Sequence, residues 1–209
     1  MDQTAKDTRL HIFLLVSLAV VFIWSYIGCF NFWGWFLEAL LVFTGIGILI
    51  SVYRKFRLTN LVYVLIWLHA IILLIGAHYT YSRVPVFNWI RDTFELSRNH
   101  YDRLGHFVQG FVPAVIAREV LLRKSPLQRG GWLLATVICF CLAMSAVYEL
   151  IEWLIVLVAE DEGVIFLATQ GDAWDAQKDM ALCLVGAAVS LLTLSKLHDR
   201  ALKKISRVV

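Results

Sequence analysis

Long apolar runs, each bounded by short polar or charged stretches, recur along the chain. Six such runs occur, at about residues 10–30, 33–52, 61–79, 104–122, 132–158 and 180–197. A bilayer core about 30 Å thick takes ~20 helical residues to cross, so the runs have the length of membrane-spanning helices. Alternating strand patterns are absent, and unpaired backbone cannot cross lipid. The pattern therefore predicts an all-α, polytopic membrane protein with six transmembrane helices.

The fourth run, 104–122, is less apolar than the others. It carries His106, Gln109, Arg118 and Glu119 between its hydrophobic positions. Ionisable side chains inside a membrane segment normally face the interior of the helix bundle, because exposure to lipid is costly. We therefore expect this helix to be surrounded by other helices of the same chain.

Composition agrees with the membrane assignment. Hydrophobic residues make up 60% of the 209 positions, and the mean hydropathy is +0.72. Soluble domains contain roughly 45–50% apolar residues, which makes this chain unusually apolar. We expect one integral membrane domain that covers residues 1–209 and has the lipid bilayer as its main partner.

Lysine and arginine residues predict the orientation in the membrane. Basic residues cluster at the N-terminus (Lys6, Arg9), between the second and third runs (Arg54, Lys55, Arg57), between the fourth and fifth (Arg123, Lys124, Arg129), and towards the C-terminus (Lys196, Arg200, Lys203, Lys204, Arg207). Six crossings put these regions on one side, and the positive-inside rule places that side in the cytoplasm. Both termini are thus expected inside. Topology and anionic lipid explain these charges, so no nucleic-acid partner is predicted.

Acidic and histidine side chains lie at a common depth near the outer surface. Asp102 and His106 are four residues apart and share a face at the outer start of the fourth helix. Glu149 and Glu152 share a face of the fifth helix, and at 1.5 Å per residue Glu149 lies about 25 Å along it. The acidic residues of "GDAWDAQKDM" are Asp172, Asp175 and Asp179, which form a stripe leading into the sixth helix.

These residues predict a polar, outward-opening pocket built from the last three spans. The catalytic candidates are Asp102, His106, Glu149, Glu152, Asp172 and Asp175. The metal-ligand candidates are His100, His106, Glu149, Asp175 and Asp179. Imidazole with carboxylates suits zinc, manganese or iron, so a divalent metal is the candidate cofactor. HExxH, P-loop and GxSxG motifs are absent, which leaves the reaction type open.

Three blocks of the sequence resemble a known family. "HYDRLGHFVQG", "SAVYELIEW" and "GDAWDAQKDM" are similar to the signature blocks of the YjdF-type bacterial inner-membrane proteins, a family without an assigned activity. The resemblance covers nearly the whole chain and implies a multi-pass protein of the bacterial inner membrane. A looser similarity is to VanZ-like membrane proteins, whose first block has lysine where this chain has Arg103. That likeness implies an envelope-related role.

Three classes of function fit the pattern. The first is a metal-assisted hydrolase or transferase that acts on a lipid or lipid-linked substrate at the outer face. The second is a non-catalytic envelope or assembly protein, in which the acids pair with groups such as Arg103 or Lys178 in an internal salt-bridge network. The third is a proton-coupled transporter that uses the intramembrane acids as relays. The oligomeric state stays open at this stage.

Overall fold

Seven α-helices build the described part of the chain. The computed structural model describes the backbone of residues 3–167 and 170–205, and the side chains of 5–158 and 170–205. The helices are α1 (Gln3–Tyr26), α2 (Phe32–Tyr53), α3 (Asn60–Tyr79), α4 (Pro85–Thr93), α5 (Tyr101–Lys124), α6 (Gly131–Leu167) and α7 (Asp175–Ile205). A 3₁₀ turn, Tyr81–Arg83, joins α3 to α4, and no strand occurs in the described ranges.

Local sequence signals set several of the helix ends. The Asn31 side chain accepts a hydrogen bond from the Gly34 amide at the start of α2, and Thr59 accepts one from Val62 at the start of α3. Such side chains satisfy amides that have no partner within the helix. Gly28 adopts a positive φ of 70° beyond the end of α1, a conformation that costs glycine little.

Five helices, α1, α2, α3, α6 and α7, are long and apolar enough to cross a membrane. The helices extend beyond the predicted apolar runs, since α7 starts at Asp175 instead of 180 and α6 continues to Leu167. The apolar run 132–158 is thus continued as helix into the acidic residues that follow it. Hydropathy marks the lipid-facing part of a helix, whereas backbone hydrogen bonding continues into polar residues that face protein or water.

Helix α5 corresponds to the fourth predicted run and lies among other helices, as its polar residues indicated. It is 24 residues long, or about 36 Å. It packs against α3, α6 and α7, most extensively against α7. Its charged residues Asp102, Arg118 and Glu119 are buried within the protein, which explains why its composition is less apolar than that of the lipid-facing helices.

Helices α5 and α7 run side by side in the same direction and approach closely. Gly110 of α5 lies beside Cys183 of α7, and Gly186 of α7 lies beside Phe107 of α5, so the backbones of the two helices are in contact. A Cβ atom at Gly110 would overlap the carbonyl oxygen of Cys183, and one at Gly186 would overlap that of Phe107. Small residues permit this distance between membrane helices. The α5–α7 pair thus forms the rigid centre of the bundle.

A buried polar network, here called the inner network, joins α3, α5 and α7 at the cytoplasmic end predicted from the basic residues. Both Glu119 and His198 are fully buried. The Glu119 carboxylate accepts hydrogen bonds from the Thr59 amide (2.9 Å), the Thr59 hydroxyl (2.7 Å) and Arg123 (2.7 Å), and it lies 2.9 Å from His198 Nε2. Arg118 bonds to His198 and to Asp199, each at 2.8 Å. Both oxygens of this buried acid therefore have partners.

Replacing Gly186 with alanine should destabilise the protein. The added methyl group forces α5 and α7 apart, and overpacking of this kind costs about 1–3 kcal/mol, or roughly 5 °C in melting temperature. Thermal unfolding of the detergent-purified protein measures the change. The matched control is Gly45→Ala in α2, where a Cβ meets nothing within 4 Å. An unchanged melting temperature for Gly186→Ala would contradict the close contact.

Candidate functional site

Histidine 106 lies at the centre of the outer polar cluster. Its side chain projects from the first turns of α5 and is 5% exposed. Its Nδ1 atom lies 2.9 Å from the side-chain oxygen of Gln109 and 3.5 Å from Glu149 Oε1, while Nε2 lies 3.5 Å from Asp102 Oδ1. One ring nitrogen of His106 thus faces Gln109 and Glu149, and the other faces Asp102. An imidazole oriented in this way is ready to bind a metal or to accept a proton.

Two overlapping groups of ligand atoms surround this imidazole. One group is Asp102, His106 and Asp179, and the other is His106, Glu149 and Glu152; within each group the atoms lie within 4.8 Å of one another. They come from α5, α6 and α7. The predicted convergence of the last three spans is therefore seen in the structure, while the catalytic and metal-binding roles of these residues remain predictions.

Two carboxylate oxygens in this cluster have no hydrogen-bond partner although they are buried. They are Oε1 of Glu149 and Oδ1 of Asp179, and Asp179 as a whole is only 2% exposed. Buried polar atoms in native proteins are nearly always satisfied, so orphaned atoms call for an explanation such as an ion, a water or a ligand. These two oxygen atoms are therefore available to bind a ligand next to His106.

Asp175 and Asp172 form ion pairs with basic side chains at the rim of the cluster. Arg98 is buried and binds Asp175 directly, and it also lies 3.3 Å from Asp102. Asp172 lies outside α7 and binds Lys178 at 2.6 Å and Arg103 at 2.7 Å. The hydrogen bond from Lys178 lowers the pKa of Asp172 below its ordinary value. These ion pairs hold the loops at the rim of the site, and the expected helical stripe is reduced to Asp175 and Asp179.

His100 is also peripheral. It occupies the position just before α5 and belongs to neither group of ligand atoms. Burial lowers the pKa of its imidazole, and the positive charges of Arg103 and Arg98 lower it further. The neighbouring Asn99, which is fully buried, bonds to Val84, Asn88 and Gln170 and thereby ties the outer loops together. Position 100 therefore belongs to the structural rim of the site.

Glu38 is not among the candidate site residues predicted from the sequence. The structure brings this residue of α2 into the cluster, where it is 4% exposed. Tyr81 donates a hydrogen bond to its Oε2 at 3.1 Å, and Tyr148 donates one to its Oε1 at 3.2 Å. The Tyr148 ring also contacts the His106 ring edge-on at 5.9 Å. An acid inside an otherwise apolar helix was the available signal, whereas nothing in the sequence pointed to the tyrosines.

A cavity of about 800 Å³ leads away from this cluster. Glu38, Asp102, His106, Tyr148 and Glu152 line one end, and mainly apolar side chains from α1, α2, α3 and α6 line the rest. Several lining residues of α2 and α6 are also exposed on the protein surface, among them Leu41, Ile50, Met144, Val147 and Ile151. The cavity therefore opens sideways between these helices, towards the region that lipid occupies.

The outer cluster and the inner network differ in how their charges are balanced. In the inner network, Glu119 makes four hydrogen bonds with three residues, and two of these residues, Arg123 and His198, are basic. In the outer cluster, His106 faces Asp102, Glu149, Glu152 and Asp179, while Arg98 binds Asp175 and lies 3.3 Å from Asp102. Buried like charges repel, and a protein keeps them together only at a cost in stability. Such an arrangement is typical of functional sites.

Removing one negative charge should have opposite effects at these two places. Glu119→Gln leaves Arg123 and His198 without their anion and should cost about 3 kcal/mol. Glu149→Gln relieves repulsion in the outer cluster, so its melting temperature should equal or exceed that of the wild type. Thermal unfolding in detergent compares the two isosteric variants directly. A Glu149→Gln protein that unfolds as early as Glu119→Gln would indicate that the outer acids are structural.

Comparison with known proteins identifies the family. The family model described as "Predicted membrane protein (DUF2238)" matches residues 10–200. The chain is 40% identical to the inner membrane protein YjdF of Escherichia coli (strain K12) over 208 residues, which is 100% of this chain and 99% of the relative. No solved structure matches it. The resemblance read from the three sequence blocks is thereby confirmed, and the chain belongs to the DUF2238 family of membrane proteins.

Proposed function

We propose that this protein is a metal-dependent enzyme of the bacterial inner membrane that hydrolyses or transfers a group on a lipid-linked phosphate at the periplasmic face. The observation that carries the proposal is the pair of buried, unpartnered oxygens of Glu149 and Asp179 beside His106, at the polar end of a cavity open to lipid. Oxygen atoms that can bind a cation and a cavity that can admit an apolar substrate thus meet beside His106.

The donor atoms favour a divalent cation of the zinc, manganese or iron type. Asp102, His106 and Asp179 supply two carboxylates and one imidazole, which suits these metals. A cation there would also balance the excess of negative charge in the cluster. Gln109 supports the site because its hydrogen bond orients the His106 ring, as outer partners of metal-binding histidines do.

The second acidic pair provides the proton chemistry. Glu149 and Glu152 belong to α6, and Glu149 lies near Nδ1 of His106, whereas Asp102 lies near Nε2. A carboxylate can accept a proton from a water molecule as that water attacks a phosphoryl group, and return it to the lipid oxygen as the bond between that oxygen and phosphorus breaks. The cation polarises the phosphoryl oxygen and lowers the cost of the developing negative charge. We assign Glu149 as the general base because its Oε1 atom is buried, has no hydrogen-bond partner and lies 3.5 Å from His106 Nδ1.

The test is metal content together with turnover in variants of the purified protein. We expect one divalent ion per chain in the wild type. His106→Ala and Asp179→Asn should lose the ion, while Glu149→Gln should keep it and lose about 10²–10⁴-fold in phosphate release from isoprenoid phosphates. Asp172→Asn is the matched control, because its carboxylate binds Lys178 and Arg103 at the rim. Metal-free wild-type protein with full function in cells would contradict the proposal.

We propose six membrane crossings with both termini in the cytoplasm, which places the outer cluster at the periplasmic side. Helix α5 falls outside the five helices that are apolar enough by themselves. However, it runs alongside α7 from the Arg98 ion pairs with Asp102 and Asp175 to the Arg118–His198 bond at the other end. A helix that accompanies a spanning helix over this distance spans as well. The basic loops then face the cytoplasm.

Topology is checked by labelling single cysteines in a cysteine-free background. Asp92→Cys, at the end of α4, should react with a membrane-impermeant maleimide in intact cells. Arg200→Cys, near the end of α7, should react only after the cells are opened. Asp92 lies outside the predicted apolar runs, and Arg200 lies beyond the run 180–197. Labelling therefore reports the side of the membrane that each position faces. Labelling of both positions in intact cells would rule out cytoplasmic location of the C-terminus.

The salt-bridge network is the second candidate, since Arg98 does join Asp102 and Asp175. A non-catalytic envelope protein would use the outer acids only for folding. Loss of abundance in Glu149→Gln cells, without a change in lipid composition, would favour it over the enzyme.

A further inference from the structure

The cavity beside the outer cluster is longer than one leaflet of the membrane. It extends along α2 from Glu38 to Tyr53, and at 1.5 Å per residue these positions are about 22 Å apart. The hydrocarbon core is about 30 Å thick, so a single leaflet accounts for about 15 Å. A chain that starts at His106 and fills the cavity would therefore pass the middle of the bilayer.

The lining changes from polar to apolar and back along this length. Below the outer acids come Leu41, Val42, Ile46, Ala70 and Leu73. The inner end contains the side chains Ser51, Tyr53, Arg54, Lys55 and His11. The middle is thus mainly apolar and suited to hydrocarbon, with His69 of α3 as an exception, and polar side chains are concentrated at the two ends.

The lateral opening exposes this apolar lining to the bilayer. Ile50 of α2 lines the cavity and is 67% exposed, and Met144 and Val147 do the same on α6. A chain can therefore enter from the side, without passing through the polar cluster. Ordinary diacyl lipids of the outer leaflet would leave the inner half of the cavity unfilled, since their chains end near the midplane.

We propose that the cavity binds the hydrocarbon tail of a polyprenyl phosphate, a lipid whose single chain is longer than one leaflet, with its phosphate at His106. This inference rests on the proposed function, because it names the substrate class of the same site. Affinity should depend on the length of the tail, because every part of the tail that the cavity encloses adds buried apolar surface. Long isoprenoid phosphates should bind more tightly than short ones.

The experiment places tryptophans at two depths along the cavity. Ile46 and Ile50 lie about 12 Å and 18 Å below Glu38 on α2. The purified protein, with Mn²⁺ present, is titrated with geranyl, geranylgeranyl and undecaprenyl monophosphate and with dipalmitoyl phosphatidic acid. Every protein titrated, the one with the wild-type cavity included, also carries Glu149→Gln, which keeps the ion and slows turnover. The control is Ile48→Trp, because Ile48 is 57% exposed and lies on the same helix but outside the cavity lining.

With the wild-type cavity, affinity should rise with isoprenoid length, and undecaprenyl phosphate should bind about tenfold or more tightly than geranyl phosphate. Ile50→Trp should weaken the undecaprenyl complex about tenfold and leave the geranyl complex unchanged. Ile46→Trp should weaken the geranylgeranyl complex as well. Ile48→Trp should match the protein with the wild-type cavity, which also shows that a tryptophan on α2 is tolerated.

Two results would overturn the inference. One is equal affinity for all isoprenoid lengths and for phosphatidic acid; the other is equal behaviour of Ile50→Trp and Ile48→Trp. Failure of the proposed function appears differently, as absence of bound metal or as full turnover in Glu149→Gln. Metal binding and Glu149-dependent turnover on phosphatidic acid, without a length effect, would preserve the enzyme and exclude the polyprenyl tail.

Discussion

Enclosure of the charged helix α5 by its neighbours is the constraint on which the rest of the structure depends. A helix that carries Asp102, Arg118 and Glu119 cannot face acyl chains without a large cost. The close contact with α7 at Gly110 and Gly186 shields one side of it, and α3 and α6 cover others. Because α5 is held in this way, its outer turns present Asp102 and His106 to acids on α6 and α7.

The two polar regions of α5 show two ways of burying charge. At the inner end, Glu119 is surrounded by donors, and the helices α3, α5 and α7 are joined through it. At the outer end, acids outnumber the basic groups that remain available, and two oxygens are left unpaired. The inner arrangement stabilises the fold. The outer arrangement costs stability, and a protein retains such a cost where a ligand or a reaction compensates for it.

The cavity connects this electrostatic feature to the membrane. Its polar end coincides with the acids and its sides are open to lipid between α2 and α6. In the proposed function, a lipid-linked substrate would remain in the bilayer while its polar group enters the site. Glu38 accepts hydrogen bonds from Tyr81 and Tyr148 and borders the site on the side of α2. The site is therefore formed by α2 as well as by α5, α6 and α7.

The sequence by itself determined the class of protein, the helical nature of each apolar run and the depth of the polar residues. Helical rise is constant, so counting residues along the last three spans was enough to place Asp102, His106, Glu149 and Asp179 at one level. Only the tertiary structure decided which of these residues meet, because depth does not specify the direction in which a side chain points. Because α5 packs against α7, Asp179 lies next to His106, whereas Asp175 binds Arg98. It also created the cavity, which no single helix encodes, since its walls come from residues far apart in the chain.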